Sequence, residues 1–245
     1  IYVYVFFDTS VAGAYASVEA LSTEQKWAGG VMRSLHRYAS DAFVVTMLLH
    51  VAREWAYGRF HGFRWFSWVT GVSLIWLVYV AGANGYMLPW DRLAQFVTIA
   101  SFEWLDWLPL FGSPLTRNFL GADAVSDRLF SLFVFVHLGV PLLLVFGLWF
   151  HIQHISLAEV FPPRALALGT LLVLFLLALA RPVMSHAPAD LALMPQALAY
   201  DWLLLAIHPL TYATSAGVVW ALLTAALVLL FALPFLPRRA VTLPV

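Results

Sequence analysis

The 245-residue sequence has no cysteine, a single lysine and only 11% charged residues. Without cysteine the chain cannot itself ligate an iron–sulfur cluster, attach a c-type haem through Cys-x-x-Cys-His or carry a disulfide, so any such centre belongs to a partner. Its 13 basic and 13 acidic residues cancel, so a basic nucleic-acid-binding face is not indicated. A soluble domain is roughly 45–50% apolar and 25% charged. At 62% hydrophobic, this chain is no soluble globular enzyme. The 11 tryptophans, many bordering apolar runs, suit rings at a membrane interface. The composition is that of an integral membrane protein.

A spanning helix needs about 20 mostly apolar residues. Five stretches qualify or nearly so: Ser34–Trp55, Phe66–Leu88, Leu129–Ala158, Ala165–Ala180 and Ala213–Leu236. Ile1–Phe7 reads as the last two turns of a further helix, and the absence of a starting Met makes the N-terminus look incomplete, so targeting signals are not judged. Val11–Gln25 is polar enough for a short surface helix, and Leu93–Phe111 reads as aromatic-rich interfacial structure ending in a turn at Gly112–Pro114. Phe161-Pro162-Pro163-Arg164 divides the chain into 1–160 and 161–245.

Sorting charges by loop gives sidedness. One side holds Arg53, Arg59, Arg64, Arg164, Arg238 and Arg239 against Glu54 and Glu159; the other holds the remaining 11 acids, Asp91, Glu103, Asp106, Asp123, Asp127, Asp190 and Asp201 among them, against 7 bases. The positive-inside rule puts the Arg-rich loops in the cytoplasm, the n side, and the acidic loops on the p side.

Two spans each carry two histidines 14 residues apart, His36 and His50 in one, His137 and His151 in the other. Fourteen residues is just under four turns and about 21 Å, so each pair points to nearly one face. Two such helices facing each other make two bis-imidazole sites stacked across the membrane, the ligation a six-coordinate electron-transfer haem needs. A lone histidine in a span also serves as a packing residue or proton relay. Equal spacing on two helices favours metal. Gly71 and Gly85 repeat the same interval in the span between, where missing side chains let a flat macrocycle approach. Arg33 and Arg53 flank the outer histidines, placed either to pair with haem propionates or to snorkel.

The run Gly30-Val31-Met32-Arg33-Ser34-Leu35-His36-Arg37-Tyr38, with His50-Val51-Ala52-Arg53, resembles the second helix of cytochrome b from Rieske/cytochrome b complexes. Gly85-Tyr86-Met87-Leu88-Pro89-Trp90-Asp91 and Gly112-Ser113-Pro114-Leu115 are similar to its chloroplast form. Leu168-Gly169-Thr170, Pro188-Ala189-Asp190, Pro195 and Tyr200-Asp201-Trp202 follow the order of the family's C-terminal part. The resemblance runs from about Tyr2 to Leu236. It implies an all-α di-haem membrane bundle, its first helix mostly missing, over 1–160, with two further C-terminal-type (subunit IV-like) helices over 161–245.

The resemblance assigns one haem b to His36 and His137 near the p side and a second to His50 and His151 near the n side. Quinol at the p side would give one electron to a Rieske iron–sulfur protein or other redox subunit and the other to the p-side haem. Quinone would be reduced at the n side, so that protons are moved across the membrane. Quinone, membrane lipid, a c-type cytochrome and a second copy of the chain are the expected partners. The Arg-over-Lys bias points to a bacterial inner, energy-transducing membrane. The sequence departs from the family where Pro-Glu-Trp-Tyr reads Tyr200-Asp201-Trp202-Leu203, which shortens the expected proton acceptor by one methylene. The His137–His151 interval is the mitochondrial one, a residue shorter than in chloroplasts. Two alternatives stay open: a di-haem wire or quinone-reactive anchor of another respiratory complex, favoured by the altered motif, and a haem-free transporter whose histidines relay protons. His154 is a weaker candidate for an n-side proton relay, and His61, His186 and His208 carry no assigned role.

Overall fold

The computed structural model describes residues 2–110, 113–120, 125–153, 155, 158–193 and 197–237. His154, Pro195, Gly112, Asp123, Arg238 and Arg239 lie outside them. The described residues form helices and no strands, with one isolated bridge between Asp91 and Pro188. In chain order the helices are α1 (Tyr2–Val5), α2 (Ala14–Thr23), α3 (Val31–Ala56), α4 (Trp65–Gly85), α5 (Arg92–Asp106), α6 (Leu115–Leu120), α7 (Asp127–Ile152), α8 (Arg164–Ala180), α9 (Trp202–Leu205), α10 (Ile207–Ala213) and α11 (Ala216–Ala232).

Among the described residues three helical stretches are long and apolar enough to span a bilayer: Gly62–Gly85, Asp127–Ile152 and Ala216–Phe235. Buried residues make up only 33%, 17% and 6% of their most apolar windows, so most of their apolar surface faces outward. Lipid or further helices are its natural cover. The other two expected spans differ for physical reasons. At 26 residues, α3 is about 39 Å long, but Arg33, Arg37, Asp41, Arg53 and Glu54 make it too polar. At 17 residues, α8 reaches only about 26 Å. The expected two terminal turns of helix shrink to the four residues of α1.

Contacts fix the helix directions. Trp68 Nε1 donates to the Leu230 carbonyl at 2.7 Å, so α11 lies against α4 with its C-terminal end beside the start of α4, while near its start Trp220 stacks on Trp104 of α5 at 4.2 Å. Tyr38 Oη donates to the Arg181 carbonyl and the Val183 amide donates to Ser34 Oγ at 3.0 Å. The end of α8 therefore meets the start of α3. One end of the molecule gathers Arg53, Glu54, Arg59 and Arg64, with Glu54 Oε within 3.7 Å of all three guanidiniums. The other gathers Asp91, Asp190 and Asp201.

At the acidic end the 181–193 segment is tied to α5. Asp91 caps α5 by accepting from Ala94 N at 2.8 Å, and its second oxygen accepts from His186 N at 2.9 Å. Gln95 bonds the segment through both amide atoms, accepting from Asp190 N at 2.8 Å and donating to the Asp190 carbonyl at 2.9 Å. Before this clamp the chain turns at Trp90, held at φ 46°, a left-handed conformation disfavoured for a bulky residue. Its ring is retained by edge contact with Phe130 at 5.1 Å. Asp91→Ala removes a cap whose loss alone costs about 1–2 kcal/mol and also frees the 186–193 segment. The expected outcome is a lower thermal midpoint together with proteolytic cleavage in that segment, checked by melting and limited digestion of the purified protein.

Candidate functional site

The 14-residue interval places the α3 and α7 histidines in two matched levels. His36 faces His137 with ring centroids 5.9 Å apart and planes at 89°, and His50 faces His151 at 6.3 Å and 81°. Lower numbers pair with lower, so α3 and α7 run parallel. Between them α4 runs the opposite way: a Cβ built on Gly71 would lie 2.8 Å from His151 Cε1, and one on Gly85 would lie 2.8 Å from His137 Cε1. The two glycines make room for the imidazoles themselves. The expected reason is the approach of a macrocycle; the contact found is with the rings.

Hydrogen bonds orient the α7 rings. The Ala81 carbonyl lies 3.0 Å from His137 Nδ1; since a carbonyl only accepts, Nδ1 carries the proton and Nε2 keeps its lone pair. His151 Nδ1 lies 3.2 Å from Thr70 Oγ1, which itself donates to the Phe66 carbonyl at 2.8 Å. Between the two levels Val44, Val78 and Leu204 form a buried apolar cluster with Met47 and Leu144 packed on it. The space between the pairs is lined by apolar side chains.

The donor set fits an axial pair. Among the described residues no group of three or more His, Cys, Asp or Glu gathers to hold a bare ion, and zinc takes three or four protein ligands. An iron held between two imidazole nitrogens by bonds of about 2 Å sets the ring centroids about 6 Å apart, the spacing of both pairs. Residues 1–159 match the family model described as Cytochrome b/b6/petB. The chain belongs to the cytochrome b family. This cytochrome b is accordingly a transmembrane subunit of a quinol oxidoreductase, working with b-type haem and quinone in electron transport. Its fold matches a solved chain of a hyperthermophilic respiratory complex III with a TM-score of 0.76 and 20% sequence identity, over 97% of this chain and 71% of that one.

The structure treats the other expected site residues unevenly. Arg33 has its guanidinium shared by Ser22 Oγ and Ser185 Oγ, each at 2.7 Å, and Glu19 at 3.4 Å. Arg53 turns to Glu54 at 2.8 Å and lies over the Tyr57 ring. Trp202 is 72% exposed and Tyr200 is also exposed. Asp201 points inward, and Leu203 packs on the Val44, Val78 and Leu204 cluster. One Asp201 oxygen, Oδ2, takes the Tyr86 hydroxyl at 2.6 Å and the Arg37 guanidinium at 3.0 Å, while Oδ1 accepts from Leu203 N at 2.7 Å and caps α9. Burial opposes its charge, yet the bonds from Tyr86 and Leu203 and the Arg37 cation outweigh burial and hold its pKa below the usual carboxylate range.

Sequence reasoning missed Arg37, Asp41 and Tyr86 as a group around Asp201. Arg37 forms an ion pair with Asp41 one turn on and lies 4.7 Å from the Tyr86 ring centroid. The i,i+4 spacing of Arg37 and Asp41 was the available signal. Also missed was buried His208, whose Nε2 lies 2.9 Å from Ser101 Oγ and whose pKa burial pushes down to about 4.

Gly85→Val drives a branched side chain into the His137 ring, and the expected outcome is lowered b-haem absorbance per purified chain. Gly139→Ala on α7, where an added Cβ meets nothing within 4 Å, leaves that absorbance unchanged.

Proposed function

We propose that this cytochrome b holds two b-type haems, one between His36 and His137 and one between His50 and His151, and carries electrons across the membrane between quinol and quinone. The observation that supports this most is the repeat of one imidazole geometry at two levels, 5.9 and 6.3 Å between ring centroids. Haem, when bound, supplies the one-electron redox chemistry. The protein's own part is to present Nε2 of each histidine, to exclude water around Val44 and Val78, and to hold quinone at either end.

The acidic end around Asp201, Tyr200 and Trp202 is the proposed quinol-oxidising face, and the basic end around Arg53 and Glu54 faces the site of quinone reduction. Arg33 and Arg53 stand at the two outer edges as the cations for haem propionates. Asp201 receives a quinol proton there, and release and uptake of protons on opposite faces couples the reaction to proton translocation. Residues 161–245 act as the C-terminal-type helices that complete the quinol face. A Rieske iron–sulfur protein or other redox subunit accepts the first electron and passes it towards a c-type cytochrome, and the chain works as a homodimer in a bacterial inner membrane.

A second reading keeps the haems without splitting electrons between two paths. It is favoured by Asp201, which is paired with Arg37 and caps α9 rather than lying free. The two separate in one experiment on the purified complex, with the n-side quinone site blocked and quinol added. A pulse of oxidant is expected to cause transient extra reduction of the b haems. Plain haem oxidation would leave the wire.

A further inference from the structure

Two carboxylates share one guanidinium beside the proposed quinol face. Arg37 pairs with Asp41 on its own helix and with Asp201 from the segment before α9, at 3.0 Å. The Asp201 side chain is 9% exposed, against 28% and 29% for Asp41 and Arg37. Tyr86, at the end of α4, completes the group through its hydroxyl on Asp201. Its pKa is raised by burial and by Asp201, so it stays a neutral donor. From α8, which packs on α3, no ionisable side chain faces this group, because none lies between Arg164 and Arg181. A carboxylate held this far from water is costly unless a cation and hydrogen-bond donors pair with it.

The charge count suggests the use. With both aspartates ionised the group carries a net charge of minus one. A proton arriving at either carboxylate brings the net charge to zero and leaves Arg37 a full ion pair with the other. Were Asp201 the sole partner, its protonation would leave a guanidinium unpaired in a low-dielectric setting, which strongly disfavours that protonation. We propose that Asp41 is the standby counter-ion that enables Asp201 to accept the quinol proton, by holding Arg37 while Asp201 is neutral. In this step the quinol O–H bond breaks, its electron pair stays on the quinol oxygen, and the proton bonds to Asp201. Asp41 does not touch quinol and is a positioning residue.

The proposal rests on the reading of Asp201 as proton acceptor, and its sign follows from the charges. Removing the Asp41 charge leaves Arg37 to Asp201 alone and lowers the proton affinity of Asp201. The test is the pH profile of quinol-driven b-haem reduction in the assembled complex, comparing wild type, Asp41→Asn, Asp41→Glu and Asp201→Asn. In Asp41→Asn the acid limb is expected to move about one pH unit to lower pH and the plateau rate to fall about tenfold, with b-haem absorbance per chain unchanged. Asp41→Glu is expected to restore both, and Asp201→Asn to abolish the acid limb. An Asp41→Asn profile that overlies wild type would overturn the proposal while leaving Asp201 as acceptor. An Asp201→Asn variant with the wild-type profile would instead overturn the reading beneath it. Should Asp41→Asn not accumulate, Asp41→Ser is read against the same criteria.

Discussion

Two imidazoles have to meet across a gap twice, at levels set by a 14-residue interval, and the remaining architecture follows from that constraint. It requires α3 and α7 to run parallel and in register, since a one-residue slip turns a helix by about 100° and carries both histidines off the shared face. Parallel helices cannot be joined by a short loop. The helix between them, α4, has to return antiparallel, and it does so lying close against α7. That closeness is possible only where α4 has no side chain at the height of each ring, which is where Gly71 and Gly85 stand. The Ala81 carbonyl then fixes one ring's tautomer from the same helix that makes room for it.

The second half of the molecule is organised by a different kind of interaction. At the acidic end polar side chains join apolar packing in binding separate stretches of chain together. Asp91 and Gln95 hold the 186–193 segment by its backbone, which leaves the chain beyond it near the ends of α3 and α4. Asp201 arrives there from a distant part of the sequence and meets Arg37 and Tyr86, which stand next to His36 and Gly85. The proposed redox and proton-handling groups are therefore mechanically adjacent, with Leu204 packed on Val44 and Val78 directly beneath them.

Much of this was legible in the sequence because it is periodic. The spacing of His36 and His50 predicts a common face, the same spacing of His137 and His151 predicts a partner, and the rings that face each other are those the family resemblance pairs. Span positions were legible for α4, α7 and α11, whose composition is uniform. They were less so for α3, where the charges that make the site also make the helix polar. What stayed hidden is what depends on contact between distant segments. Nothing local in Tyr200-Asp201-Trp202 says that Asp201 turns inward to Arg37 while Trp202 faces out, and nothing near Arg33 says that Ser185 takes its guanidinium. Nor does anything local say that Asp201, the expected proton acceptor, is held by three donors, Tyr86, Arg37 and Leu203 N.

The most direct measurement is haem content per chain, with the spectrum of what remains, in the purified protein and in four single variants that change His36, His50, His137 or His151 to Leu. The account predicts two haems per chain in the parent. It further predicts one and the same remaining species in the His36 and His137 variants, and a different shared species in the His50 and His151 variants. A single haem in the parent, or remaining species that pair the histidines along one helix instead of across the gap, would contradict it.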